Sequence, residues 1–347
     1  MQDAFLYASF TASDGTVLPY RYYLPAGYGS GEKRYPVFFY LHGNGSRGSD
    51  NTTQLRYYSI NTAVYNSGCD CIMIAPQCKE RPEEWTLNDS IGVNTYPGSR
   101  AYAAFLASGK PYGSRYFCAA VELLDSFLKD AHVDTSRVYL AGGSNGAGAV
   151  WNLMTLYPEV FAGAIPVAGS RAEPDYVHAI AHRMKNIPIW AFQGDSDNNI
   201  FPEGTRVLID ALRRVGGRIT YTEVEGGTHG NIWKIAADTP GVVDWLFSQK
   251  NDAFVNTLSG EKGTPLAAPA HLRREGKTLA WNEVPGAGAY AVTFYANNAP
   301  VGTRCTPDLA CTLPDFAEES GATAFGVRAY PQNNAHDLGA ASDLCRL

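Results

Sequence analysis

RVYLAGGSNGAG, residues 137–148, decides the fold. Val138, Tyr139 and Leu140 read as a short apolar strand, and Gly142-Gly143-Ser144-Asn145-Gly146 as a sharp turn. The small residues that follow open a helix. This is the G-x-S-x-G pattern in its required context of strand, turn and helix, which lifts a serine hydroxyl clear of the backbone. Glycines two residues before and after Ser144 allow the tight turn and keep side chains away from it. The helix N-terminus behind the serine supplies N–H groups and the positive end of a dipole, both suited to a developing oxyanion. A Gly-rich turn bearing a solvated serine is the alternative, and the flanking strand and helix count against it.

Working outward, residues 17–24, 36–41 and 71–75 read as strands, the second a continuous apolar run suited to a buried sheet. Residues 119–129 carry Val121, Leu124, Phe127 and Leu128 at helical spacing. After the elbow, residues 145–157, 203–215 and 241–248 read as helices, and 163–167, 188–192 and 218–224 as strands. Such alternation predicts a mostly parallel sheet with helices on both faces, and ligands then bind beyond the carboxyl ends of the strands, where Ser144 lies. One connection, residues 79–117, is long and carries Trp85, Tyr96, Tyr102, Phe105, Tyr112, Tyr116 and Phe117. It reads as a lid or substrate wall, or as a flap that packs its own aromatics.

Residues 1–250 thus form one expected domain. Residues 251–267, rich in Gly, Ser, Thr, Pro and Ala, read as a linker, and 268–347 as a small β-sandwich with short alternating strands at 279–281, 290–295 and 324–330. A hydrophobic content of 45% with 18% charged residues describes an ordinary folded chain. The net charge of −6 without a basic run argues against nucleic acid or an anionic membrane as partner. No apolar stretch reaches the roughly 18 residues a membrane span needs. Seven cysteines (69, 71, 78, 118, 305, 311 and 345), three of them crowded near the C-terminus, point to an oxidising compartment. The expected location is secreted or periplasmic, although residues 1–4, MQDA, do not read as a signal peptide.

A serine hydroxyl needs a base, and the base needs an orienting group. In the order Ser, acid, His, the histidine candidate is His229, in EGGTHG (225–230), a flexible loop directly after the last strand of the sheet. His178 and His182 have the i, i+4 spacing of metal ligands but no evident third ligand. The acid should follow the preceding strand, where Gln193-Gly194-Asp195-Ser196-Asp197 offers two aspartates. Asp197 lies farther into the loop and is preferred, while Asp195 suits a turn-stabilising hydrogen bond. The oxyanion donors expected are the N–H of Asn145 and one from Leu41-His42-Gly43-Asn44-Gly45-Ser46, with Asn44 preferred over Gly45. His42 precedes the nucleophile and reads as a residue that holds this loop, at the edge of the substrate site.

LPYRYY (18–23), YPVFFYLHGNGSRGSDN (35–51), IAPQC (74–78), the stretch 137–169 and PIWAFQGDSDNNIFP (188–202) together resemble the α/β-hydrolase esterases. Within that group they are most similar to the feruloyl and acetylxylan esterases of carbohydrate esterase family 1 and to related peptidase-like esterases. The resemblance covers most of residues 5–250. It implies Ser144 as nucleophile, Asp197 as acid and His229 as base, with Trp85 and Trp233 near the substrate. The chain departs from it where Asn145 replaces the usual Met and Gln193 the usual His, and where 79–117 is longer. The tail resembles a fibronectin type III module through Trp281, Tyr290 and FGVRAY (325–330), with Thr323 where a tyrosine corner is expected. The expected activity is hydrolysis of a feruloyl or acetyl ester on plant polysaccharide through an acyl-enzyme, with no metal or cofactor. Polyester or peptide hydrolysis, and a non-catalytic glycan-binding protein on the same fold, are the alternatives.

Overall fold

A computed structural model describes residues 1–79, 85, 114–169, 177–259, 264–331, 336–337 and 341–347. The side chains of 177–180, 264–265, 305, 331 and 336–337 are outside that description. Eight strands form one sheet: β1 (Leu6–Thr11), β2 (Val17–Tyr23), β3 (Tyr35–Leu41), β4 (Ile72–Pro76), β5 (Val133–Gly143), β6 (Gly163–Val167), β7 (Ile189–Gly194) and β8 (Ile219–Val224). Their spatial order is β1-β2-β4-β3-β5-β6-β7-β8. Strands β3 to β8 run parallel, while β1 and β2 pair antiparallel at one edge. The predicted fold class, an α/β-hydrolase sheet followed by a β domain, is the one observed.

The central strands are buried on both faces, as their unbroken apolar runs demand. The α-helices of this part, among the described residues, are α1 (Ile60–Asn66), α2 (Arg115–Leu128), α3 (Asn145–Leu156), α4 (Val177–Met184), α5 (Pro202–Arg214), α6 (Ile232–Asp238) and α7 (Val242–Ser248). They cover the sheet in two apolar layers. Val121, Leu124, Leu153 and Leu208 belong to one, and Ile60, Ile232, Val242 and Leu246 to the other. Strand β1 and the short helices α1 and α6 are absent from the sequence reading. Strand β1 is exposed along most of its length, and a seven-residue helix shows fewer than two apolar repeats.

The C-terminal part holds two antiparallel sheets. β10 (Arg273–Glu275), β11 (Thr278–Ala280) and β14 (Ala310–Thr312) form one. β12 (Ala287–Ala296), β13 (Ala299–Thr306), β15 (Ala324–Pro331) and β17 (Cys345–Arg346) form the other. Both contribute to a single core around Trp281, Phe294 and Phe325. A short helix, α8 (Asp315–Glu319), packs Phe316 edge-on against Phe294. β9 (Thr264–Pro265) and β16 (His336–Asp337) pair separately.

Residues 251–259 differ from the expected loose linker. Asn251 donates its N–H to the Ser136 carbonyl and its amide to that of Glu159. Asn256 donates to Asp125 on α2, and Leu258 is buried in the hydrolase core. Small polar composition reads as linker, but here the polar groups satisfy backbone carbonyls and a buried carboxylate, so the segment straps the body of the hydrolase.

Candidate active site

Four loops at the carboxyl edge of the parallel strands converge on Ser144. Strand β5 delivers it with φ 53° and ψ −117°, a left-handed backbone outside the ordinary wells. The strain is held by its surroundings. The Ser144 N–H donates to the Val167 carbonyl at the end of β6, and its own carbonyl accepts the N–H of Gly148. Helix α3 then runs so close to β3 that a Cβ on Gly146 would stand 1.9 Å from the Leu41 carbonyl oxygen. Only glycine fits there, which is the physical content of the last G in the motif.

His229, in the loop between β8 and α6, has its Nε2 3.1 Å from Ser144 Oγ. Its Nδ1 lies 2.7 Å from Asp197 Oδ2, in the loop after β7. Asp197 is buried, and its carboxylate accepts four donors: the N–H groups of Asn199 and Ile200 on Oδ1, and Gln193 Nε2 and the imidazole on Oδ2. That set satisfies a buried carboxylate. Asp195 instead accepts the Gly226 N–H at 2.8 Å and the Ser196 hydroxyl at 2.9 Å, tying the acid loop to the turn before His229. The two loops also touch through backbone, since a Cβ on Gly194 would fall 2.2 Å from the Gly227 carbonyl oxygen. Geometry thus brings Asp197, not Asp195, to the imidazole.

Ser144 opens into a cavity of about 520 Å³. His229, Trp233, Ile200, Asn44, Tyr40 and Tyr57 are among the residues that line it. Gly43 packs against the elbow, a Cβ there meeting the Gly143 carbonyl at 3.1 Å. The N–H groups of Asn44 and Gly45 have no backbone acceptor among the described residues. Asn145 stands at the first position of α3. Trp233 meets the His229 ring edge-on, 5.1 Å between centroids, and lies over Gly143. Tyr57, half exposed at the mouth, and buried Tyr40 were not anticipated from sequence. Tyr40 follows a fully apolar run, and Tyr57 precedes a helix that lacks its own signal.

Two expected substrate contacts are corrected. Trp85 is fully buried and does not line the cavity. Its backbone N–H donates to Asn145 Oδ1, and its ring stands 5.2 Å from that of His42. His42 is also buried: its Nε2 accepts the Cys78 N–H at 2.9 Å, and Nδ1 faces the Gly43 carbonyl at 2.7 Å. These contacts require the neutral imidazole with its proton on Nδ1. Burial lowers its pKa to about 4. Trp85, His42 and the Asn145 side chain form a buttress that fixes the loop after β3 against helix α3. A large apolar ring beside the sheet gains more from this burial than from facing solvent. Tyr116 and Phe117 are likewise core residues of α2, while Tyr96, Tyr102, Phe105 and Tyr112 lie outside the described residues. Among the described residues no cluster of metal-ligating side chains occurs, and the side chain of His178 is outside them.

No protein-family model matches the chain. A thermostable esterase structure superposes with a TM-score of 0.60 at 28% identity, over 72% of this chain and 64% of that one. A ferulic acid esterase matches with a TM-score of 0.50 at 17% identity, over 70% of this chain and 98% of that one. An S-formylglutathione hydrolase of Staphylococcus aureus matches with a TM-score of 0.50 at 17% identity, over 71% and 96%. The fold is that of the α/β-hydrolases. This chain spans under two-thirds of the thermostable esterase. In sequence, 115 residues are 28% identical to an uncharacterized secreted protein of Arthroderma benhamiae, covering 26% of this chain and 12% of the fungal protein.

Proposed function

We propose that this protein is a serine carboxylic-ester hydrolase. The observation that carries the reading is the unbroken hydrogen-bonded line from Ser144 Oγ through His229 to Asp197 Oδ2, opening on a cavity at the strand ends. Ser144 attacks the ester carbonyl carbon while His229 Nε2 takes the hydroxyl proton. Asp197 holds the imidazole with its proton on Nδ1 and stabilises the imidazolium. The N–H groups of Asn44 and Asn145 receive the tetrahedral oxyanion. The imidazolium returns the proton to the leaving alkoxide, and the acyl-enzyme is hydrolysed by water along the same route. This chemistry needs no metal or cofactor.

The substrate class proposed is a feruloyl or acetyl ester carried on plant polysaccharide. The sequence resemblance supports it, as do the aromatic sides that Tyr57, Tyr40 and Trp233 give the cavity. Residues 268–347 are read as an accessory fibronectin-like module. A secreted location is supported by the stretch shared with the secreted fungal protein. The test is twofold. A fluorophosphonate probe should label Ser144 in the wild-type protein and fail on Ser144→Ala. Initial rates on methyl ferulate, acetylated xylan and 4-nitrophenyl acetate should then rank the substrates. Turnover of the aryl ester alone would retain the esterase and remove the polysaccharide.

A further inference from the structure

Gln193 stands at the end of β7, just before the acid loop, and is fully shielded from solvent and from the cavity. Its Nε2 reaches three acceptors: Asp197 Oδ2 at 3.3 Å, the Ile200 carbonyl at 3.0 Å and the Gly194 carbonyl at 3.3 Å. Its Oε1 accepts the hydroxyl of buried Thr205, in the first turns of α5, at 3.1 Å. One neutral side chain thus spans the acid loop and moors it to a helix. The oxygen it contacts, Oδ2, is the one that faces His229 Nδ1.

From this geometry we infer that Gln193 is the positioning residue for the Asp197–His229 pair, setting where Oδ2 sits and how strongly it holds the imidazolium. The inference rests on the proposed triad. A buried carboxylate is a stronger acceptor the fewer donors it has. Gln193 supplies one donor without bringing a charge, so Oδ2 is aimed and partly neutralised at once. A carboxyl group in its place would confront Asp197 with a second acid, and such a pair holds a shared proton until the pH is high.

The test uses the full chain and two variants, with pH profiles of kcat/KM and separate kcat and KM on 4-nitrophenyl acetate. Gln193→Met removes the donor at nearly constant volume. It should lower kcat about tenfold and leave KM in place, because Gln193 does not face the cavity and a small displacement of a catalytic group is costly. The acidic limb of its profile should move to higher pH, since Asp197 then holds the imidazolium more tightly. Gln193→Glu retains a donor only while the new carboxyl is protonated. Its profile should therefore turn from a plateau into a bell that falls as pH rises. A folded Gln193→Met protein with wild-type kcat and profile overturns the inference. If that variant fails to fold, an unchanged plateau in Gln193→Glu overturns it. A wild-type protein that resists the fluorophosphonate overturns the nucleophile reading and this one together; labelling with unchanged profiles overturns this one alone.

Discussion

Asp197→Asn changes one atom in a buried site, and the surrounding donors dictate how the amide must lie. Oδ1 accepts two backbone N–H groups at 2.9 Å each, from Asn199 and Ile200. Oδ2 accepts the imidazole and the longer contact from Gln193. Turning the amide nitrogen toward Oδ1 would set NH2 against two fixed donors and leave both unsatisfied, at about 1–3 kcal/mol each. The amide therefore keeps its oxygen on the backbone and presents NH2 to His229 Nδ1. The imidazole must answer as an acceptor there, which puts its proton on Nε2, facing Ser144 Oγ. It can no longer take the hydroxyl proton. A net preference of about 2–4 kcal/mol leaves a few per cent or less of the working tautomer, and the imidazolium also loses its counter-charge. Together these should lower kcat by about 10³–10⁴-fold, or about 4–5.5 kcal/mol in the barrier. The assay is kcat on 4-nitrophenyl acetate beside a thermal melt. Asp195→Asn, which keeps its carbonyl oxygen for Gly226, should stay within about threefold of wild type. Asp197→Asn turnover within tenfold of wild type, at unchanged Tm, would refute the tautomer argument; a reversed order would make Asp195 the acid.

Ser144→Ala should abolish fluorophosphonate labelling and cut kcat by at least about 10³-fold with the melt intact, because only a hydroxyl at the cavity floor is lost. Trp85→Ala should lower stability by about 3–5 kcal/mol and reduce turnover of methyl ferulate and 4-nitrophenyl acetate alike, as expected of a buried buttress; a loss confined to the larger ester would return Trp85 to the substrate. A chain ending at residue 250 should melt well below one ending at 259, since the first cut removes Asn251, Asn256 and Leu258 from the hydrolase body; equal melts would make the strap dispensable. Burial depresses the pKa of His42 to about 4, against an ordinary 6.5. The folded state thus binds this proton less readily than the unfolded chain does, and stability that is complete above about pH 6.5 should fall as pH drops toward 4. His42→Gln should flatten that part of the Tm–pH curve.

Much of this was legible because the chemistry leaves a local trace. The elbow glycines are required by backbone contact, Gly146 against Leu41 most of all, so they mark Ser144 in any reading of the chain. His229 and Asp197 follow strands, and strand ends of a parallel sheet point to one edge. What composition could not tell was direction. Trp85 in a long aromatic connection reads equally as a wall facing substrate or a ring facing the sheet, and only its burial with the His42 ring beside it settles which. The same holds for residues 251–259. Their polar side chains suit solvent, yet the Asn251 amide finds the Glu159 carbonyl while its backbone N–H finds that of Ser136 on β5.

Two of the three departures from the esterase pattern converge on one layer of the molecule. Asn145 and Gln193 stand where the esterase pattern has Met and His, and both side chains point into the protein. Asn145 accepts the backbone N–H of Trp85 at the start of α3, and Gln193 holds the loop after β7 against α5. Each is a neutral amide that ties two segments together away from the cavity, so under the proposed triad they bear on the placement of its members. Under the proposed function, the choice of ester then falls to groups that reach the cavity itself, Tyr57, Tyr40, Ile200 and Trp233 among the described residues. Tyr57 is half exposed and reaches the loop after β3, with its hydroxyl 3.4 Å from where a Cβ on Gly45 would lie. A side chain at Gly45 reaching beyond that Cβ would press on this ring, while the Ser144–His229–Asp197 line, which Gly45 does not touch, stays as it is.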